Sequence, residues 1–147
     1  TGDPKAYRLP VPHVEGKYNV SFSGLKTAVV NEVHNAQQRG EEVRVADMAA
    51  SFQERIAQIL AKKLLAAAAD TNAKTICLAG GVAANSVIRE DLRRACEAAD
   101  IRLYLPPLKL CGDNGAMIAA QGYYEFKDGN IADLTLNGLP TLAIDYR

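Results

Sequence analysis

The sequence predicts an α/β protein, rich in helix and carrying a short parallel βαβ sheet. Three observations point there. Ile76, Cys77 and Leu78 form a short apolar run that reads as a buried strand, and residues 101–105 (IRLYL) form a second, ended by Pro106 and Pro107. Between them Ile88, Leu92, Ala95, Cys96 and Ala99 repeat at helical spacing, with Arg89, Arg93 and Arg94 on the opposite side, where the cluster can bind phosphate but the pattern favours a solvated face. Strand, helix and strand in that order make a parallel unit whose crossover should be right-handed.

At 147 residues and 48% hydrophobic content the chain matches one domain with a single core. Lys plus Arg and Asp plus Glu number 17 each. No net field therefore draws nucleic acid or an anionic membrane, and any nucleic-acid contact must be local. No apolar run approaches the roughly 20 residues of a membrane span. The opening TGDPKAYRLP has neither the apolar core nor the cleavage pattern of a signal peptide. Cys77, Cys96 and Cys111 are an odd set at wide spacing, against both a disulfide framework and a cysteine-based zinc site. A cytoplasmic protein is expected.

Residues 1–22 carry Pro4, Pro10 and Pro12 and read as an extended lead-in. It begins without an initiator Met and without a preceding core element, so the chain reads as part of a longer protein. Ser23 is the expected N-cap of a helix reaching about Gln38, with Gly40 as its stop and Leu25, Val29, Val33 and Ala36 on one face. A Ser-Gly-Leu-Lys turn can hold a phosphate with Lys26; the local pattern favours a capped surface helix. His13 and His34 read as solvated, neither having a partner His at i+4. Asp47 is expected to cap the longest helix, reaching about Ala69, with Phe52, Ile56, Ile59, Leu60 and Leu64 as its buried stripe. These two helices make a helical region over residues 23–70.

The chain is organised around residues 76–85 (ICLAGGVAAN). Gly80 and Gly81 break the first strand and Asn85 opens the next periodic segment. Missing Cβ atoms let a ligand approach the backbone, and a helix start directs unpartnered N–H groups outward, so a phosphate or nucleotide suits this turn. A tight strand-to-helix connection explains the glycines equally well, and they do not fit G-x-G-x-x-G. The second informative stretch is CGDNGAMIAA, residues 111–120, where Asp113 reads either as an N-cap or as a hard anionic metal ligand. Both turns leave the C-terminal ends of adjacent parallel strands, where open α/β sheets bind ligands. Gly80, Gly81, Asn85 and Asp113 are therefore expected to converge within a βαβα unit over residues 75–127. Residues 128–147 form a tail with little periodicity.

Four stretches in order, FSGLKTAV (22–29), ASFQE (50–54), AGGVAAN (79–85) and CGDNGAMIA (111–119), resemble the tRNA threonylcarbamoyladenosine transferase family, also labelled O-sialoglycoprotein endopeptidase or glycoprotease. Gly112 departs from the Thr or similar polar residue the family leads one to expect, and Gly115 from the more usual Ala. The resemblance implies a partial lobe of the actin, Hsp70 and sugar-kinase type of ATPase fold. It implies transfer of threonylcarbamoyl from threonylcarbamoyl-adenylate to the exocyclic nitrogen of the tRNA adenosine beside the anticodon. It also implies one ion, Fe2+ or Zn2+, held by two His of an HxxxH motif and one Asp. Carried over, Asn85 contacts the adenylate, Gly80 and Gly81 form its wall, and Asp113 is the carboxylate ligand. Ser23 and Lys26 are weaker substrate candidates.

HxxxH and the Gly-rich phosphate hairpin are absent, so the chain reads as the C-terminal part of the transferase, itself inactive and without bound metal. The implied partners are tRNA and subunits of the threonylcarbamoylation complex, and an uncovered sheet edge favours self-association. Two other readings stand beside this one: a sugar-kinase-like phosphotransferase lobe, and a non-catalytic module that docks partners or tRNA.

Overall fold

A computed structural model describes residues 2–141. The chain divides into two compact units, Thr1–Gly112 and Asp113–Arg147. The first holds α1 (Ser23–Gln38), α2 (Val45–Thr71), β1 (Thr75–Cys77), α3 (Ser86–Ala98) and β2 (Arg102–Tyr104), and the second holds α4 (Gly115–Lys127). The fold is α/β and helix-rich, and β1 and β2 pair in parallel with Ile76 opposite Leu103. The boundary assigns α4, grouped above with residues 75–127, to the second unit. Of the expected tail, residues 142–147 lie outside the described residues.

The 27-residue α2 is the spine of the first unit. Its N-terminal part packs Met48 against Leu9 and Leu25, with Phe52 and Ile56 beside them. Its middle sets Ala57 against Ile88 and Leu92 of α3. Near its end Ala68, one of the alanines that favour close approach, meets Ile76 and Cys96. Leu92 is wholly buried, and truncating such a leucine costs about 2–5 kcal/mol.

The sheet has one covered face: Ile76 is buried and Leu103 half-buried, whereas Thr75, Cys77, Arg102 and Tyr104 are exposed. The expectation of a fully buried first strand is thus corrected, because period-two alternation turns Cys77 away from α2 and α3. Ala99, expected on the buried face of α3, is exposed and terminates that helix.

Two expected caps, and the capping alternative for Asp113, are also corrected. Phe22 is already in helical conformation (φ −107°, ψ −3°) and precedes the first residue of α1, so Ser23 lies inside the helix. Arg44 stands at the start of α2, and Asp47, in the first turn, instead accepts the Asp3 amide at 2.7 Å. Asn114, not Asp113, caps α4, its Oδ1 accepting the Met117 amide at 3.2 Å.

The helix ends share one device. Gly40, Asn72, Asp100 and Gly129 all have φ between 52° and 78°, and the residue after each returns its N–H to a carbonyl of the last turn.

The Pro-rich lead-in is irregular yet built into the first unit. Leu9 is buried, the Tyr7 amide donates to Ser51 Oγ at 3.2 Å, and Ser51 Oγ donates to the Asp3 carbonyl at 3.3 Å. A Cβ on Gly2 would lie 1.9 Å from the Ala46 carbonyl oxygen, so only glycine permits this approach. Farther along, Lys17 pairs with Asp70, Tyr18 donates to the same carboxylate, and Lys63 donates to the Lys17 carbonyl. Among the described residues no helix is long and apolar enough to cross a membrane.

Candidate nucleotide-facing site

The glycine pair leaves β1 at its C-terminal end. Leu78 extends the strand pairing by donating its amide to the Tyr104 carbonyl at 3.0 Å. Gly80 then takes φ 84° and ψ 173°, a combination essentially restricted to glycine. Its carbonyl accepts the Ala83 amide and starts a single 3-10 turn, Gly81–Ala84, whose Val82 carbonyl receives the Asn85 amide. The chain therefore does not pass directly from glycine to α-helix. No atom lies within 4 Å of a Cβ placed on Gly80 or Gly81, so both backbones face open space.

Asn85 joins three elements. Its Oδ1 accepts the Val87 and Ile88 amides at 3.0 and 3.1 Å, capping α3. Its Nδ2 donates to Gln53 Oε1 of α2 at 3.3 Å. This corrects the expectation that the helix start offers free N–H groups to a phosphate: the cap already occupies two of them. What the turn presents outward is glycine backbone, and the Asn85 carboxamide keeps one N–H beyond its bond to Gln53.

Arg89 lies one turn into α3 and is half-buried, which corrects its placement on a solvated face. Its Nη1 donates to the Ala83 carbonyl at 2.7 Å and to Cys111 Sγ at 3.8 Å, and its Nη2 to the Pro106 carbonyl at 2.9 Å. No carboxylate pairs with it among the described residues, whereas Arg93 and Arg94 pair with Glu90 and Asp91 on the exposed side. Gln53 is a residue that sequence reasoning missed, and Arg89 is one that it weighed for phosphate binding but placed on a solvated face. The available signals were the ASFQE segment and the i+4 spacing from Asn85.

The remaining candidates lie elsewhere. Ser23 and Lys26 are exposed on α1, and no hydrogen bond or ion pair joins them to Gly80, Gly81 or Asn85 among the described residues. Lys26 borders an apolar groove of about 330 Å3 lined by Val29, Val33, Val43, Met48 and Phe52. Asp113 is exposed in the second unit. His13 and His34 are exposed. The described residues contain no group of three His, Cys, Asp or Glu side chains able to hold a metal ion. Cys77, Cys96 and Cys111 are free thiols, and burial pushes the Cys96 thiol up.

The geometry defines a class: an α/β unit that offers open glycine backbone and a carboxamide at the C-terminal end of a parallel strand, where ligands of such sheets bind. Residues 1–120 match the family described as TsaD, tRNA N6-adenosine threonylcarbamoyltransferase, and the chain belongs to that family. A relative of the same description from Moorella thermoacetica is 47% identical over 147 residues, covering 98% of this chain and 42% of the relative. Another, from Desulfitobacterium hafniense, is 49% identical over 142 residues, covering 96% and 42%. A third, from Anoxybacillus flavithermus, is 49% identical over 131 residues, covering 88% and 38%. The chain thus spans about two-fifths of the length of the curated relatives it matches.

Proposed function

We propose that this chain supplies the adenylate-facing wall of a tRNA-modifying transferase. The reaction moves threonylcarbamoyl from threonylcarbamoyl-adenylate to the N6 amine of the tRNA adenosine beside the anticodon. The observation that carries this reading is the family match over residues 1–120, which includes the whole Gly80 to Asn85 loop. In the transfer the N6 nitrogen forms a bond to the carbamoyl carbon and gives up one proton, while the bond from that carbon to the phosphate oxygen breaks and adenylate leaves with its electron pair. The part proposed for this chain is positional. Gly80 and Gly81 let the nucleotide lie against backbone, and Asn85, held by Gln53 and by its own helix, gives it one directed N–H.

Asp113 is proposed as the carboxylate of the family's metal site, Fe2+ or Zn2+. The described residues do not assemble that site by themselves. Lys26, whose Nζ has no hydrogen-bond or ion-pair partner among the described residues, and Ser23 are proposed as secondary anion contacts. The actin, Hsp70 and sugar-kinase type of fold is proposed for the whole protein, supported by the parallel pair and its loop at the C-terminal strand ends. A cytoplasmic setting is proposed on the tRNA substrate and the three free thiols. Partner subunits and self-association are proposed on the exposed apolar residues of α4, among them Ile118 and Phe126.

The test is an amide-shift titration of the isotopically labelled chain with AMP. Shifts at residues 80–85 are expected, with weak affinity because one wall of a cleft lacks its opposite side. Shifts confined to other residues would refute the placement.

A further inference from the structure

Arg89 is a half-buried charge of the first unit that no carboxylate neutralises among the described residues. All three of its bonds go to groups on loops at the C-terminal ends of the two strands. One is the Ala83 carbonyl, inside the turn that follows Gly80. Another is the Pro106 carbonyl, two residues beyond β2, and the third is Cys111, the buried residue next to the unit boundary. The two carbonyls come from separate loops and are held by one planar guanidinium, whose fork fixes their separation and angle. Arg89 also shares α3 with Asn85, one turn away, so the same helix carries the carboxamide that faces the ligand and the guanidinium that shapes the loop beneath it.

We propose that Arg89 is a positioning residue for nucleotide binding: its guanidinium couples the Gly80 to Ala84 turn to the exit of β2 and thereby sets the shape of the wall. The coupling is a property of this chain's fold, and its consequence for a nucleotide rests on the reading proposed above. A second consequence is electrostatic. Because the guanidinium bonds only neutral acceptors, its charge remains available to an anionic ligand over the glycines.

Arg89→Lys keeps the charge and the aliphatic stem but loses the fork, and Arg89→Ala loses both; Arg93→Ala, on the exposed side, is the control. In labelled chains, Arg89→Lys should shift the amides of residues 80–84, 105 and 108–111 together while those of α1 stay in place. AMP affinity should fall about tenfold, as the wall loses the shape that the fork imposes. Millimolar guanidinium added to Arg89→Ala should restore the wild-type amide positions of both loops, and should change neither wild type nor Arg93→Ala. If Arg89→Ala does not fold, Arg89→Lys alone carries the comparison. Shifts confined to α3, or loops that move independently of one another, would overturn the coupling. Failure of wild type to respond to AMP would sink the nucleotide reading, while the paired loop shifts would still decide the role of Arg89.

Discussion

Asn85 is the residue whose removal is most informative, because its bonds separate stability from binding. Oδ1 accepts two amides at 3.0 and 3.1 Å, and Nδ2 makes one longer, partly buried bond of 3.3 Å to Gln53. Losing an asparagine cap costs about 1 kcal/mol, and losing the longer neutral bond adds about 0.5 kcal/mol. Asn85→Ala should therefore destabilise the chain by about 1.5 kcal/mol, with no change in the surface exposed on unfolding. Asn85→Asp keeps the acceptor and loses the donor. Its negative charge at a helix N-terminus returns about 0.3–1 kcal/mol, so its stability should lie close to wild type. Its affinity for AMP should nevertheless fall, since a carboxylate replaces an N–H beside an anionic ligand. Urea unfolding followed by far-ultraviolet circular dichroism reads the first quantity as a shift in midpoint at constant slope, and AMP titration reads the second. If Asn85→Asp were as unstable as Asn85→Ala, or if Asn85→Ala matched wild type, the cap would not be the stabilising feature argued here.

The remaining predictions concern pH, metal and assembly. Lys17 and then Tyr18 hold the Asp70 carboxyl below the ordinary carboxylate value, and hydrogen bonding to Asp70 raises both Lys17 and Tyr18. The depressed acid contributes stability above about pH 4 that is lost as pH falls through its folded value. The two raised groups contribute stability below about pH 10 that is lost as pH rises through theirs. The urea midpoint of Asp70→Asn should thus fall short of wild type near neutrality and meet it in strong acid; a constant gap would refute the linkage. For Asp113→Ala, neither metal content nor stability of the purified chain should change, since Asn114 is the cap of α4; elemental analysis finding one tightly held ion, lost in the variant, would contradict this. Sedimentation should detect self-association that Ile118→Glu or Phe126→Glu abolishes, both residues being more than 60% exposed on α4; a wild-type monomer at high concentration would count against it.

Helices and strands were legible because apolar periodicity is local: α1, α3 and β2 lie within a residue or two of their expected bounds. The Gly40 stop was legible for the same reason, and the stops at Asn72 and Asp100 were not. Either residue tolerates the left-handed conformation, but only the chain's return path decides that it adopts it. Caps expected at Ser23 and Asp47 are not adopted because a short polar side chain near a helix start is common, whereas capping depends on which residue leaves helical φ and ψ first. At the site, Gly80 was legible from residue type alone. Arg89 was not, since the carbonyls of Ala83 and Pro106 carry no side-chain signature and meet it only after β1, α3 and β2 have folded.

The cap on α3 bears on how the chemistry is divided within the proposed enzyme. Phosphate binding at a helix N-terminus and side-chain capping compete for the same N–H groups. Here Asn85 Oδ1 already holds the amides of Val87 and Ile88, so the adenylate phosphate would gain little from α3. The glycine turn instead offers backbone with no side chain in the way, which suits the flat or edge surfaces of a nucleoside better than a tetrahedral anion. Stabilisation of charge on the departing phosphate would then draw on Arg89, whose guanidinium bonds only neutral acceptors, and on groups that the described residues do not assemble. A chain with the wall but without those groups should hold a nucleotide weakly and leave the transfer rate unchanged, because binding that is equal in ground and transition states lowers no barrier.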